Sequence, residues 1–78
     1  MTSPIETAMF ALLAEADGKS VSPEAVARAV DAEAWRSKLA QVRATAVGLA
    51  RQGRLVITRH GKPADPDTFK GVYRLRLP

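Results

Sequence analysis

The sequence predicts an α+β fold in which three helices precede a two-stranded β-hairpin, within one domain that spans residues 1–78. Two observations support this prediction. Apolar residues recur with the period of a helix, about 3.6 residues, over the first two thirds of the chain, and with the two-residue period of a strand after Gly53. A serine followed by a proline, with a glutamate one or two positions further on, is typical of a helix start and occurs at Ser3 and again at Ser22.

The first helix begins at Ser3, which can cap it, and Glu6 completes a capping box. It should end near Ala16, because Gly18 can adopt the left-handed conformation that closes a helix. The apolar stripe consists of Ile5, Met9, Leu12 and Ala16. Phe10 lies about 140° from the centre of this stripe. It is therefore covered by another part of the chain, which we favour, or available to a partner.

The second helix follows Ser22 and ends near Val30 or Asp31. Residues 19–21 form an extended connector before it, which is a candidate for a short third strand. The third helix is predicted from Ala34 to Gln52, with Gly53 as its C-cap. Its apolar stripe consists of Trp35, Leu39, Val42, Ala46, Leu49 and Ala50, which assigns Trp35 to the core.

The outer face of the third helix is small, because it presents Ala40, Ala44 and Gly48. Such a face lets a phosphate backbone or another helix approach closely. The other interpretation is a solvated helix in which alanine occurs for its high helix propensity.

The last third of the chain alternates as a β-hairpin does. Leu55 and Ile57 lie on one face of the first strand, and Leu75 lies on the corresponding face of the second. The arginines of both strands lie on the opposite face. Residues 59–71 between the strands are rich in turn formers and are predicted as one long polar turn. Phe69, in this turn, either packs under the hairpin, which we favour, or inserts into a partner.

Charge is divided unevenly along the chain. Residues 1–33 carry two cations against six carboxylates, and residues 34–78 carry ten cations against two carboxylates. This asymmetry favours a polyanionic partner, although a solvated surface with an accidental gradient would produce the same count.

The second and third helices together form a helix-turn-helix, and the hairpin has the position of a wing. The stretch LARQGRLVI, residues 49–57, resembles the junction between recognition helix and wing in winged helix-turn-helix domains. Within that superfamily the whole chain resembles a small bacterial family catalogued as a domain of unknown function. The features that carry this resemblance are Ala34-Trp35-Arg36, Val42-Arg43, residues 53–58, Gly61-Lys62-Pro63, Asp65-Pro66 and Gly71 with Arg74-Leu75-Arg76. The resemblance implies a winged-helix fold and no particular function.

A nucleic-acid-binding role, with duplex DNA favoured over RNA, is the leading hypothesis, and it includes transcriptional regulation. In such a domain the start of the recognition helix faces the base edges, and the wing faces phosphates. The candidates for the first role are Arg36, Ser37, Lys38, Gln41 and Arg43. The candidates for the second are Arg54, Arg59, His60, Lys62, Lys70, Arg74 and Arg76. Carboxylates near both regions oppose this hypothesis, namely Asp31, Glu33, Asp65 and Asp67.

The alternative hypothesis is a winged-helix module that binds a protein partner or a second copy of itself through the first helix, with Phe10 in the interface. An enzyme is not expected, because His60 is the only histidine and lies in a turn, and no cysteine is present. A weak metal site at His60, Asp65 and Asp67 is possible on residue type, but turn formation explains these residues better. No cofactor-binding motif occurs. We expect a cytoplasmic protein without a membrane span.

Overall fold

The computed structural model describes residues 3–78, and the two residues before them lie outside it. Three helices precede a small three-stranded antiparallel sheet, so the α+β prediction is confirmed, and the arrangement is consistent with a winged-helix-like fold. The elements are α1 (Pro4–Glu15), α2 (Pro23–Val30), a 3₁₀ turn (Trp35–Lys38), α3 (Leu39–Arg51), β1 (Val56–Arg59), β2 (Lys62–Pro63) and β3 (Arg74–Arg76).

Both predicted serine caps are present. The Ser3 hydroxyl accepts a hydrogen bond from the Glu6 N–H at 3.1 Å, and the Ser22 hydroxyl accepts one from the Ala25 N–H at 3.1 Å. Each bond satisfies a backbone donor that has no partner inside the helix. Gly18, with φ of 85°, follows α1 as predicted.

The start of α3 differs from the prediction. A continuous helix was expected from Ala34, but residues 35–38 form a 3₁₀ turn and α3 begins at Leu39. The reason lies in Asp31, whose Oδ1 accepts from the N–H groups of Ala34 at 2.9 Å and Glu33 at 3.1 Å. These bonds, the one from Ala34 first, lower the pKa of the Asp31 carboxyl. They hold a tight turn from which the chain passes into 3₁₀ geometry.

The end of α3 agrees with the prediction. Gly53 has a φ of 74° and donates to the Ala50 carbonyl at 3.0 Å, while Arg54 donates to the Leu49 carbonyl at 3.0 Å. These two bonds define a Schellman motif, which requires the left-handed residue that glycine supplies. The chain is thereby redirected into β1.

The sheet contains one strand more than the predicted hairpin. β1 pairs with β3 as expected, but residues 59–71 are not a single long turn. His60 and Gly61, with φ of 53° and 78°, form a tight turn that brings β2 back against β1. Positive φ at both turn residues matches the right-handed twist of the paired strands. The strand order is therefore β2-β1-β3.

The connector between α1 and α2 reaches the other side of the sheet. Val21 and Leu75 exchange two backbone hydrogen bonds, of 2.7 and 2.9 Å. This is a single bridge and not the short third strand considered for residues 19–21. It nevertheless ties the start of the helix-turn-helix to β3.

One cluster of buried side chains joins all three helices to the sheet. It consists of Ile5, Met9, Leu13, Val26, Ala27, Val42, Ala46, Leu49, Leu55, Ile57, Phe69 and Leu75. Phe69 therefore packs in the core, as favoured from the sequence. Trp35 does not lie fully inside, which corrects the prediction, because the 3₁₀ turn rotates it to the edge of the cluster, where it is half-buried.

Candidate nucleic-acid interface

Arg43 is directed at the wing. Its Nη2 donates to the Phe69 carbonyl at 3.0 Å, and its guanidinium lies 4.0 Å from the centre of the Phe69 ring and 5.8 Å from that of Tyr73. The two rings meet edge to face at 5.0 Å. Arg43 therefore links α3 to the segment that leads into β3. Its guanidinium contacts Phe69, whereas that of Arg36 contacts Trp35, although both arginines were predicted on one flank of the recognition helix.

Arg54 closes over α1. Its Nη1 donates to Glu6 Oε1 at 3.0 Å, and its guanidinium lies 5.0 Å from the centre of the Phe10 ring. Phe10 is half-buried and packs against the core. The expectation that Phe10 is covered by its own chain is thus confirmed, and the covering group is an arginine that the sequence had assigned to phosphate contact.

Two further arginines are tied to protein oxygens around the sheet. Arg59 Nε donates to the Val72 carbonyl at 2.9 Å. Arg74 donates from Nε to the Ser20 hydroxyl at 2.7 Å and from Nη2 to the Ser20 carbonyl at 3.1 Å. These bonds fix the 69–73 segment and the α1–α2 connector to the strands.

Carbonyl and hydroxyl acceptors do not neutralise a guanidinium. Arg59 and Arg74 keep their full charge and some unused N–H donors, and so does Arg76, which donates to the Leu77 carbonyl at 3.2 Å. A carboxylate partner does neutralise the charge of a guanidinium, as Glu6 does for Arg54.

A second arginine–carboxylate pair, Arg51 with Asp67, joins α3 to the wing. Arg51 Nε donates to Asp67 Oδ1 at 2.7 Å, with both side chains more than half exposed, at 62% and 55%. Asp65 Oδ1 accepts from the Asp67 N–H at 2.8 Å, which forms the predicted turn. The acidic residues of the wing thus have structural partners, and Asp67 carries little free charge toward a ligand.

A different arrangement surrounds Trp35. The guanidiniums of Arg28 and Arg36 lie 4.4 and 4.6 Å from the centre of its ring. Within residues 3–78, neither guanidinium has a hydrogen-bond acceptor or carboxylate partner, and the same holds for Lys38. Sequence analysis missed Arg28, because it lies in the last turn of α2 and the turn of residues 31–34 brings it next to Trp35.

Exposed polar side chains continue this surface along α3. Gln41 is exposed between the small residues Ala40 and Ala44. Ser37 donates its hydroxyl to the Ala34 carbonyl at 2.7 Å, which leaves its lone pairs available as acceptors. We name the group of Arg28, Trp35, Arg36, Ser37, Lys38 and Gln41 the helix-start surface.

The remaining candidates lie on the wing. His60 occupies the tight turn between β1 and β2, Lys62 follows in β2, and Lys70 precedes β3; all three are exposed. In the described part of the chain none of them has a side-chain partner. We name Lys62 and Lys70, together with the neighbouring His60, the wing-tip cations.

The described residues contain neither a metal-binding cluster nor a membrane-spanning helix. Among residues 3–78 no three histidine, cysteine or carboxylate side chains come together to hold a metal ion, and this includes His60 with the two wing aspartates. No helix in the same range has the length and apolarity needed to cross a membrane.

Comparison with known families identifies a match that covers nearly the whole chain. The model of the family described as “Protein of unknown function (DUF3253)” matches residues 2–78. The chain belongs to this family. The resemblance to a family of unknown function is therefore confirmed over nearly the whole DUF3253 chain, while its place in a wider winged-helix superfamily stays a prediction. None of the curated proteins compared with the chain matches it.

Proposed function

We propose that this DUF3253 chain binds duplex nucleic acid, with DNA as the favoured target, through the helix-start surface and the wing-tip cations. The observation that carries the proposal is that Arg28, Arg36 and Lys38 have no protein acceptor among the described residues. Cations without an acceptor in the protein lose no protein hydrogen bond when they bind phosphate. They also release the counterions condensed on the duplex, which drives association.

The helix-start surface has the composition that base and phosphate contacts require. Arg36 can pair with guanine in two hydrogen bonds, and Gln41 can do so with adenine. The small side chains of Ala40 and Ala44 allow a close approach of α3 to the duplex. Contact with the Trp35 ring restricts the Arg28 and Arg36 side chains before binding, which reduces the conformational entropy lost in the complex.

The proposed contact set is narrower than the set predicted from sequence. Arg54 is excluded because Glu6 neutralises it. Arg43 keeps its charge but is excluded as a base contact, because its guanidinium is directed at the Phe69 carbonyl and ring. Arg59, Arg74 and Arg76 are retained as contributors to the positive field, since they keep their charge while bonded to uncharged oxygens.

The alternative, a protein-binding module that uses α1, has weaker support. Its main sequence feature was Phe10, and Arg54 already covers that ring. A partner at this position would have to displace an arginine that is also paired with Glu6.

The test is fluorescence anisotropy with a labelled random-sequence duplex, titrated at several salt concentrations. We expect binding that weakens steeply with salt, and an Arg36→Ala/Lys38→Ala variant that binds about tenfold more weakly, with a salt slope smaller by about 2. The matched control is Lys19→Ala/Arg51→Ala, which removes the same charge away from the helix-start surface. Absence of binding at low salt, or equal losses in the two variants, would overturn the proposal.

A further inference from the structure

A groove lies between the first turn of α2, the outer side of α3 and the segment that leads into β3. Its volume is about 470 Å³, which falls in the range of about 300–1,000 Å³ that is typical of small-molecule sites. The walls are mainly apolar and include Pro23, Leu39, Val72 and the Tyr73 ring. Val72 borders the groove with 80% of its surface exposed, so this wall is accessible from solvent.

Arg43 supplies positive charge to the groove. It is an exposed residue of the groove lining, and its guanidinium lies 5.8 Å from the centre of the Tyr73 ring, which lines the groove as well. Its Nη2 donates to the Phe69 carbonyl, an uncharged acceptor, and no carboxylate pairs with it among residues 3–78. Because a guanidinium has several N–H donors, Arg43 keeps its full charge and has further donors for a ligand.

Glu24 also lines the groove, but its charge is less accessible to a ligand. Its Oε2 is shielded from solvent, so this oxygen does not face the open groove. Glu24 lies in the first turn of α2, where the positive end of the helix dipole stabilises a carboxylate and offsets its charge. Arg43 is therefore the charged side chain that a molecule entering from solvent meets.

We propose that this groove binds a small aromatic carboxylate. The carboxylate accepts hydrogen bonds from the Arg43 guanidinium, and the ring lies against Leu39, Val72 and Tyr73. Complementary charge selects the anion, because a planar guanidinium and a carboxylate form paired, charge-assisted hydrogen bonds. The walls select an aromatic body, because its binding removes apolar surface of both the ligand and the groove from water.

This proposal does not rest on nucleic-acid binding. Within residues 3–78, the groove lining includes no member of the helix-start surface and no wing-tip cation. Ala40 lines the groove and also lies on the outer face of α3 that was proposed to approach the duplex. The test therefore uses no nucleic acid and no variant of Ala40, so either proposal can fail without the other.

The test is a titration of the ¹⁵N-labelled protein with indole-3-propionate, followed by amide chemical shifts. At millimolar ligand we expect shifts confined to residues around Leu39, Arg43 and Gly71–Tyr73. Tryptamine, which carries the same ring with an ammonium group, should bind at least about tenfold more weakly. Acetate, which supplies the charge without a ring, should cause no localised shifts at the same concentration.

Two variants of Val72 isolate the effect of charge, because Val72→Glu and Val72→Gln differ only in charge at one exposed position of the groove wall. Val72→Glu should bind indole-3-propionate at least about tenfold more weakly than Val72→Gln, since its carboxylate repels the ligand and competes for Arg43. Ala11→Glu adds the same charge at an exposed position of α1, outside the groove, and should leave the affinity unchanged.

The proposal is overturned if indole-3-propionate causes no localised shifts, or if tryptamine binds as tightly. It is overturned as well if Val72→Glu binds indole-3-propionate as tightly as Val72→Gln does, or no more weakly than Ala11→Glu does. The same spectra report whether each variant is folded, and if Val72→Glu is not, the comparison with tryptamine decides the outcome.

Discussion

The sheet side of the molecule and the helix-start surface are both strongly basic, yet their arginines have different partners. Ten cations follow Glu33, and six of them, all arginines, donate hydrogen bonds to protein oxygens. Two of the six, Arg43 and Arg51, lie on α3. The other four lie in the sheet region, namely Arg54, Arg59, Arg74 and Arg76. At the helix-start surface, the guanidiniums of Arg28 and Arg36 lie over the Trp35 ring and have no partner oxygen among residues 3–78. Charge counted along the sequence therefore overstates the charge that is available to a partner.

The irregular backbone of the C-terminal third explains this difference. Carbonyl groups outside the strand ladder need donors, and a long planar guanidinium can supply them across a loop. The carbonyls that receive arginine N–H groups belong to Ser20, Phe69, Val72 and Leu77. None of these residues is part of a strand. Arginine in this region is thus a structural residue as well as a charged one.

The largest expected effect concerns Arg43. Arg43→Ala removes the hydrogen bond to Phe69 and the contact with its ring, so we expect the free energy of unfolding to fall by about 2 kcal/mol in urea titrations. Arg43→Lys, which keeps the charge without the planar guanidinium, should recover only part of this loss. A loss below about 0.5 kcal/mol would remove the structural role assigned to the sheet-side arginines.

Gly71 tests the same region through the backbone. Its φ is 85°, and an added Cβ would lie 2.9 Å from Arg59 Nη2. We expect Gly71→Ala to destabilise the fold by about 1–2 kcal/mol, measured by thermal and urea unfolding. In the Gly71→Ala/Arg59→Ala variant the steric part of this cost should disappear, and the cost of the positive φ should remain. Gly48→Ala, in the open middle of α3, is the control and should stabilise the protein slightly.

The ion pair between α3 and the wing should matter much less. Arg51 and Asp67 are both more than half exposed, so water screens their attraction. We expect Arg51→Ala to change the free energy of unfolding by no more than about 0.5 kcal/mol. A larger loss of unfolding free energy that vanishes at high salt would contradict this prediction. It would mean that the ion pair contributes as much as the arginine–carbonyl hydrogen bonds to holding the wing.

The smallest effect on stability is expected at the helix-start surface. Arg36→Ala/Lys38→Ala should leave the free energy of unfolding within about 0.5 kcal/mol of the parent protein, because the exposed Arg36 and the half-buried Lys38 have no partner oxygen in the described chain. The same variant is predicted to bind the duplex about tenfold more weakly. Strong destabilisation would show that the contacts around Trp35 support the fold, and the distinction between the two regions would then fail.

Tyr73 gives a pH-dependent measure of the sheet side. Burial raises the pKa of its hydroxyl above the ordinary value of about 10. The neutral form is favoured in the folded state, so its contribution to stability is present below that ordinary pKa and is lost as the pH rises through the folded one. Tyr73 is the only tyrosine, so its ultraviolet absorbance reports the titration directly. A midpoint at or below the ordinary value would contradict the burial of this ring.

Local signals determined much of the fold. The caps at Ser3 and Ser22, the glycine that ends α3 and the alternation of β1 and β3 all involve groups a few residues apart, so the sequence alone predicted them. The 3₁₀ turn before α3 was missed, because it depends on a single carboxylate, Asp31, that competes with an otherwise continuous helical pattern.

The partners of the charged side chains were decided by tertiary structure. Arg54 pairs with Glu6 across 48 residues, and Arg74 with Ser20 across 54. The periodicity of the sequence does not predict these pairings, because they form only when the helices and the sheet pack around their common core. The sequence by itself therefore determined that this protein is basic and α+β. Only the packed chain decided which cations hold the fold together and which remain without a partner.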